Sequence, residues 1–141
     1  MDDPFDLERF VAAQDAGGIY AGAVEELRQG DKTSHWMWFV FPQLAGLGRS
    51  PTARHYAISG ADEARAYLAH PALGPRLRAC AQALTALPEC DPGAVLGAVD
   101  AQKLRSSMTL FAAAAPDEPA FTRVLDRFFG GHPDDATTSR M

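Results

Sequence analysis

Prolines that follow a polar residue divide this chain into short segments, and they constrain its fold more than any other sequence feature. In four pairs the residue before proline is Asp, Ser or Glu, at Asp3-Pro4, Ser50-Pro51, Asp91-Pro92 and Glu118-Pro119. Proline at the first helical position loses no needed hydrogen bond, and a preceding Asp or Ser accepts one from the open helix end. Each pair therefore predicts a helix start. Glycines predict helix ends or turns, at Gly17-Gly18, Gly30, Gly60 and Gly130-Gly131.

Between these marks, apolar residues recur at helical spacing and show no convincing alternation typical of strands. One stripe recurs at steps of four and three, at Leu73, Leu77, Cys80, Leu84 and Leu87. Another lies near the end of the chain, at Phe121, Val124, Leu125, Phe128 and Phe129. The sequence therefore predicts an all-α fold, a compact bundle of about seven to nine mostly short helices. Residues 1–141 form one helical domain, and the polar residues 132–141 are expected to be a frayed tail.

The stripes also predict where individual helices begin and end. Helices are expected at 3–14, 19–29, 51–58, 61–69, 91–99, 101–115 and 119–129, and Pro71 is expected to open a further one. Asp100 is expected to cap the helix that follows it. In the second helix, Glu25, Glu26 and Arg28 are expected to face water.

Composition excludes several classes of function. A net charge of −5 argues against binding of nucleic-acid polymers or anionic membranes, which need a basic face. No apolar run reaches the roughly 18 residues of a membrane span, and the acidic start Met1-Asp2-Asp3 does not resemble a signal peptide. Cys80 falls on an apolar helical face and is expected to be a buried free thiol. We therefore expect a reducing, cytoplasmic location.

The stretch Asp31–Gln43 concentrates aromatic and polar side chains. It holds both tryptophans, Trp36 and Trp38, together with Phe39 and Phe41. Burial of each such aromatic is worth roughly 4–6 kcal/mol, so the stretch must lie in or against the core. It is predicted to form a short helix from about Ser34 to before Pro42, although six consecutive apolar residues also fit a buried strand. Two interpretations stay open: the stretch is only core, or its aromatics hold polar groups around a pocket.

Other types of site find little support in the spacing of the residues. No two of the four histidines stand at i, i+4, and the two cysteines are not close, so no metal site and no cofactor are predicted. Gly46 and Gly48 do not form a dinucleotide fingerprint, because the third glycine is missing. Lys103 precedes Ser107 by one helical turn and could activate it, but no nucleophile elbow accompanies the pair.

Cations beside hydroxyl groups are the combination that indicates function. In an acidic chain, cations around an aromatic wall would suit a phosphate or carboxylate attached to a flat ring. We hypothesise that a small anionic ligand, nucleotide-like molecules included, is held by Lys32, His35, Lys103 and Arg105. Trp36 or Trp38 would stack on it, and further polar contacts would come from Ser34, Gln43, Ser106 and Ser107. His35 is the acid/base candidate if a reaction is catalysed, because histidine ordinarily titrates near neutrality.

Two alternatives compete with this hypothesis. Lys103 and Arg105 could merely pair with Asp31 or Asp100. The whole stretch could also belong to a structural or protein-interaction module with no catalytic activity, which an exposed apolar patch would favour. The sequence does not indicate a particular protein partner.

Five segments resemble a known bacterial family, domain of unknown function eighteen-ten. They are Phe5–Phe10, Lys32–Ser50, Glu63–Leu77, Lys103–Phe111 and Phe128–Gly131. The resemblance implies a small, all-helical, single-domain cytoplasmic protein and no established activity. Some members carry the label calpastatin, but a calpain inhibitor is a disordered chain of repeats, unlike this compact sequence. The family usually ends in Asp-x-x-Thr followed by leucines. This chain lacks the leucines after Thr137, so its tail is expected to pack differently.

Overall fold

Residues 3–141 are described by a computed structural model of the chain. The acidic start at Met1 and Asp2, on which part of the targeting prediction rests, lies outside the described residues. Ten α-helices follow one another: α1 (Glu8–Asp15), α2 (Ile19–Gln29), α3 (Met37–Val40), α4 (Pro51–His55), α5 (Ala61–Ala69), α6 (Leu73–Thr85), α7 (Pro92–Leu96), α8 (Ala98–Ala114), α9 (Pro119–Phe129) and α10 (Asp135–Thr138).

The all-α prediction is confirmed. Within residues 3–141 there is no strand, and a single 3₁₀ turn, Ala16–Gly18, joins α1 to α2. The nearest approach to a sheet is one isolated parallel bridge between Leu44 and Ile58. The stretch after Asp31 forms one helical turn, α3, and not a strand, so four of its apolar residues are helical. No helix in the described part of the chain is long and apolar enough to cross a membrane.

Three of the four polar residues before proline accept hydrogen bonds from the amides that follow. Ser50 Oγ accepts from the Ala53 amide at 3.1 Å, and Asp91 Oδ1 accepts from Gly93 at 2.9 Å. Asp3 accepts two amides at the start of α1. Glu118 makes no such contact, and its carboxylate pairs with Arg78 at 3.0 Å instead. The predicted helix starts are therefore correct at Pro51, Pro92 and Pro119, whereas the prediction from Asp3-Pro4 is wrong, because no helix begins before Glu8 in the described residues.

Helices α2, α5 and α9 have the predicted limits. Helices α4 and α7 are shorter than predicted and end at His55 and Leu96. Helix α1 begins only at Glu8, because Asp6 takes a left-handed conformation at φ 51°. Helix α8 begins at Ala98, so Asp100 lies inside its first turn and Gly97 is the capping position. Asp100 is therefore free to use its carboxylate elsewhere.

Helix α8 is the central element of the bundle and packs against α5, α7, α9 and α10. Helix α6 packs against α2, α5 and α9, and all five residues of its predicted stripe are buried. Cys80 is a free, buried thiol, as predicted. Gly74 lets α6 approach α5, because a Cβ there would lie 2.1 Å from the Leu68 carbonyl oxygen. These contacts hold the first turns of α8 in a fixed position beside α3.

The C-terminal tail differs from the expectation of fraying. Helix α10 packs on α8, and both Asp134 and Thr137 are buried. The Asp134 carboxylate accepts hydrogen bonds from Gln102, Ser106 and Thr137. Hydrogen bonds to the buried carboxylate of Asp134 therefore anchor the tail.

Candidate functional site

A cleft of about 300 Å³ opens between the residues before α3, the helix α3 itself, and the first turns of α4 and α8. Its walls combine aromatic and charged side chains. They are Lys32, His35, Trp36, Met37, Trp38, Phe39, Thr52, Asp100 and Lys103. This volume is at the lower end of the range of small-molecule sites.

Glu26 of α2 fixes the loop that leads into the cleft. One carboxylate oxygen, Oε1, accepts the amides of Thr33 at 2.8 Å and Ser34 at 3.0 Å, and the Trp36 indole N–H at 3.1 Å. Burial alone would raise the pKa of Glu26, but hydrogen bonds from Ser34, Thr33 and Trp36 outweigh it and lower the pKa to about 2. The prediction that Glu26 faces water is therefore wrong, because its carboxylate accepts hydrogen bonds from two backbone amides of this loop.

Asp100 joins the only two ammonium groups of the cleft. Its Oδ2 lies 2.8 Å from Lys32 Nζ, and its Oδ1 lies 3.1 Å from Lys103 Nζ. Burial would raise the pKa of Asp100, yet hydrogen bonds and charge attraction from both lysines hold it below its usual range. The carboxylate therefore stays ionised near neutral pH. Lys32 Nζ also donates to the Ser34 carbonyl, which fixes its direction.

Each lysine also lies over the ring of one tryptophan. Lys32 Nζ is 4.9 Å from the ring centre of Trp36, and Lys103 Nζ is 4.0 Å from that of Trp38. Such contacts stabilise a cation by roughly 0.5–2 kcal/mol. Trp36 is only 1% exposed, whereas Trp38 is half-buried and borders the cleft. Gly48 packs closely on α4, because a Cβ there would lie 2.4 Å from the Ala53 Cβ, whereas its distance of 3.4 Å from the Trp38 ring is an ordinary contact.

The cleft holds more positive than negative charge. Lys32 and Lys103 share the single carboxylate of Asp100, and the exposed His35 adds a side chain that can accept a proton. Lys32 is 7% exposed in its side chain, and Lys103 is 19% exposed. Partly desolvated cations interact with an anion more strongly than surface cations do, because water screens them less. Chemically, the arrangement can hold an anion against an aromatic wall.

Lys32 and Lys103 are the only lysines in the sequence, whose other eleven basic residues are all arginine. Both therefore come together in one cleft although 71 positions separate them. This distribution is a signal that sequence reasoning missed. It indicates that the cleft uses the compact, rotatable ammonium group of lysine, whereas the rest of the chain uses arginine.

Five of the ten candidate residues predicted from the sequence line the cleft. They are Lys32, His35, Trp36, Trp38 and Lys103. Sequence reasoning considered Asp100 as a helix cap and as a pairing partner, not as part of a site, and it missed Glu26 and Thr52. An acidic residue that holds a loop, such as Glu26, has no distinctive sequence pattern.

The other five candidates lie outside the cleft lining. Ser34 contributes its backbone to Lys32 and Glu26, and the Gln43 carbonyl accepts from Ile58. Arg105 donates from Nε to the His132 carbonyl at 3.0 Å. Ser106 donates to Asp134, and the Ser107 hydroxyl is fully buried without a partner among the described residues. These groups therefore support the fold around α8, α10 and the bridge at Ile58.

Comparison with known proteins identifies related proteins but no activity. The model of the family described as "Protein of unknown function (DUF1810)" matches residues 4–141. The chain is also similar to the crystal structure of the conserved hypothetical protein Rv1873 from Mycobacterium tuberculosis. The identity is 48% and the TM-score 0.95, over 99% of this chain and 98% of that chain. No curated protein matches the chain.

Proposed function

The chain belongs to the DUF1810 family of proteins of unknown function, and we propose that the cleft between α3 and α8 binds a small organic anion. The observation on which this rests is the sharing of one carboxylate, Asp100, by the two lysines. Two cations on one anion leave a positive surplus inside a partly desolvated cleft. A small anion in the cleft would neutralise that surplus.

Trp38 supplies the apolar part of the proposed site. It is half-buried and borders the cleft, so its ring can contact the body of a ligand whose charged group meets the lysines. Trp36 has a different role, because its ring is buried and its indole N–H is held by Glu26. Aromatic and apolar walls with a few convergent polar groups are typical of small-molecule sites. His35, at the same cleft, is the candidate acid/base group for any reaction of the bound ligand.

The rival proposal, a structural or protein-interaction module, has less support. It would be favoured by an exposed apolar patch. The large hydrophobic residues exposed within residues 3–141 are Val99 and Met141. The net charge of −5 supports a small ligand rather than a nucleic-acid polymer or anionic membrane. A reducing, cytoplasmic location is part of the same proposal, and the buried free thiol of Cys80 is compatible with it.

Tryptophan fluorescence tests the proposal directly. A panel of nucleotides, phosphosugars and dinucleotides would be titrated into the wild type, Lys103→Met and His35→Ala. We expect a saturable change with at least one compound, because Lys103 lies over the Trp38 ring and an anion would redirect it. Lys103→Met should remove this change, and His35→Ala should weaken it. Trp38→Phe should remove the signal, whereas Trp36→Phe should keep it.

Arg105→Met is the matched control, because Arg105 lies on the same helix but contacts His132 and Phe129. It should bind like the wild type. An unchanged fluorescence across the panel, together with unchanged calorimetric heats, would overturn the ligand-binding proposal. Equal loss of binding in Lys103→Met and Arg105→Met would also contradict it, because the effect would then not be specific to the cleft.

A further inference from the structure

We propose that the anion bound in the cleft is a phosphate monoester, taken up as the dianion together with one proton on His35, while Asp100 stays in place as an internal counter-charge. This inference rests on the proposed function of the cleft and narrows its ligand to one chemical class. It assigns separate tasks to the three charged residues and to the histidine. The donors, the charges and the volume of the cleft each support it.

The donor groups match a tetrahedral anion better than a carboxylate. A lysine ammonium has three N–H donors. Lys32 uses two of them, on Asp100 and the Ser34 carbonyl, and its ammonium also lies over the Trp36 ring, so at most one N–H remains for a ligand. Lys103 uses one on Asp100 and lies over the Trp38 ring, which leaves it at least one more. With His35 as the third donor, the site offers one group for each of the three free oxygens of a phosphate ester, whereas a carboxylate has two oxygens.

The charges of the cleft accommodate a dianion only if a proton is taken up with it. Two lysines and Asp100 add up to one positive charge, so a monoanion would balance them alone. A phosphate ester carries close to two negative charges above pH 7, since its second pKa is about 6. Of the other groups at the cleft, Trp38 and Phe39 of α3 and Thr52 of α4 carry no charge. Protonation of His35 is then the available way to complete the balance.

The choice of lysine and the size of the cleft agree with this assignment. Lysine acts as a compact point charge with rotatable donors and is a common phosphate ligand. A cleft of about 300 Å³ lies at the lower end of the range of small-molecule sites. That space suits a phosphate with a small body, such as a five- or six-carbon sugar, better than a dinucleotide.

Isothermal titration calorimetry with matched probes tests the inference. Ribose 5-phosphate and glucose 6-phosphate are the phosphate monoesters, and glucuronate is a monoanionic carboxylate of similar size. Titrations at pH 7.5 in two buffers of different ionisation enthalpy count the protons taken up. We expect a phosphate ester to bind at least about tenfold more tightly than glucuronate, a difference of roughly 1.4 kcal/mol. Uptake should approach one proton in the wild type and fall towards zero in His35→Ala.

The Asp100→Asn variant tests whether Asp100 acts as a counter-charge or only as a structural group. If Asp100 is the counter-charge, its removal leaves two lysines that neutralise the dianion alone. The variant should then bind the phosphate esters more tightly than the wild type and take up less than half a proton. A merely structural role predicts weaker binding and unchanged proton uptake. Asp62→Asn, which breaks an exposed ion pair with Arg65, is the matched control.

Selective ¹⁵N labelling at lysine Nζ shows whether the anion binds beside the two lysines. Because the chain has only Lys32 and Lys103, a ¹⁵N-lysine spectrum contains two side-chain signals, and both should shift with a phosphate ester. Glucuronate that binds as tightly as the phosphates, with no proton uptake, would overturn this inference and leave the proposed anion site standing. Phosphate esters that bind without shifting either signal would overturn both proposals.

Discussion

Two clusters of ion pairs in this molecule differ in how completely their charges and hydrogen-bond donors are satisfied. In the first, the Arg9 guanidinium pairs with Glu63 at 2.8 Å and also donates to the carbonyls of Phe5, Asp6, His55 and Ala57. The other oxygen of Glu63 accepts the Ser59 amide. One cation meets one anion, and the remaining donors reach backbone oxygens. In the second cluster, Lys32 and Lys103 share Asp100 and keep spare donors at an open cleft.

The difference teaches how to separate a structural ion pair from a candidate site. The Arg9–Glu63 pair is deeply buried, with side-chain exposures of 11% and 4%, and it joins α1 to the residues around α5. A saturated, charge-balanced pair has no capacity left for a ligand. The lysine cluster has surplus charge, free donors and an adjoining cavity. Unequal charge, rather than the presence of charged residues, is therefore the feature that indicates binding.

The largest expected effect is on the saturated cluster. Arg9→Met should lower the free energy of unfolding by about 3–5 kcal/mol, because it leaves the Glu63 carboxylate buried without its cation. Chemical denaturation followed by circular dichroism measures the change. Arg65→Met, at an exposed pair with Asp62, is the control and should change the stability by less than about 1 kcal/mol. A cost for Arg9→Met as small as that of the control would remove the distinction between the two clusters.

The next effect concerns the wall of the cleft, where packing rather than charge is changed. Gly48→Ala should lower the free energy of unfolding by about 1–3 kcal/mol, because its Cβ would lie 2.4 Å from the Ala53 Cβ and against Trp38. Denaturation and Trp38 fluorescence both report it. Gly22→Ala has open space in the exposed part of α2 and should instead stabilise the protein by about 0.5–1 kcal/mol. If Gly48→Ala were as well tolerated as Gly22→Ala, the loop at Gly48 would not be packed tightly on Ala53 of α4.

Sequence reasoning predicted the helices better than the contacts between them. The limits of α5 and α9 followed from local spacing and from proline or acidic residues at their starts, which are properties of neighbouring residues. The pairing of Lys32 with Asp100 joins positions 68 residues apart, and no periodicity encodes such a contact. Convergence of Lys32, His35, Lys103 and Arg105 was a hypothesis from residue type. The first three line one cleft, whereas Arg105 contacts His132 instead.

One physical cause explains why sequence reasoning placed several residues of α8 less well. Arg105, Ser106 and Ser107 follow Lys103 directly, but successive residues on a helix point in different directions. Lys103 therefore reaches the cleft, whereas Arg105 contacts His132 and Ser106 contacts Asp134. The polar tail was expected to fray because its local sequence does not show what stabilises it. The stabilising hydrogen bonds are centred on Asp134 and come from α8.

A smaller effect is expected from Glu26, and it depends on pH. Folding lowers its pKa from an ordinary 4.5 to about 2, so its contribution to stability is complete above about pH 4.5 and is lost as the pH falls towards 2. Glu26→Gln should lower the melting temperature near pH 6 and flatten its decline below pH 4.5. Glu25→Gln, at the neighbouring exposed position, is the matched control and should keep the wild-type curve. Identical curves for all three proteins would show that Glu26 does not fix the loop before α3.

The smallest expected effect on stability is at Lys103, and it sharpens the comparison most. Lys103→Met makes a cation-to-thioether change like Arg9→Met, but it leaves Asp100 paired with Lys32 and removes the repulsion between two ammonium groups. The free energy of unfolding should therefore change by less than about 1 kcal/mol, while binding of phosphate esters is lost. Denaturation and calorimetry on the same preparation measure both quantities. If Lys103→Met destabilised the fold as much as Arg9→Met, the lysine cluster would be a structural element, because breaking a buried structural ion pair strongly lowers the free energy of unfolding. A small change in stability with complete loss of binding is the combination that only a site for an external anion explains.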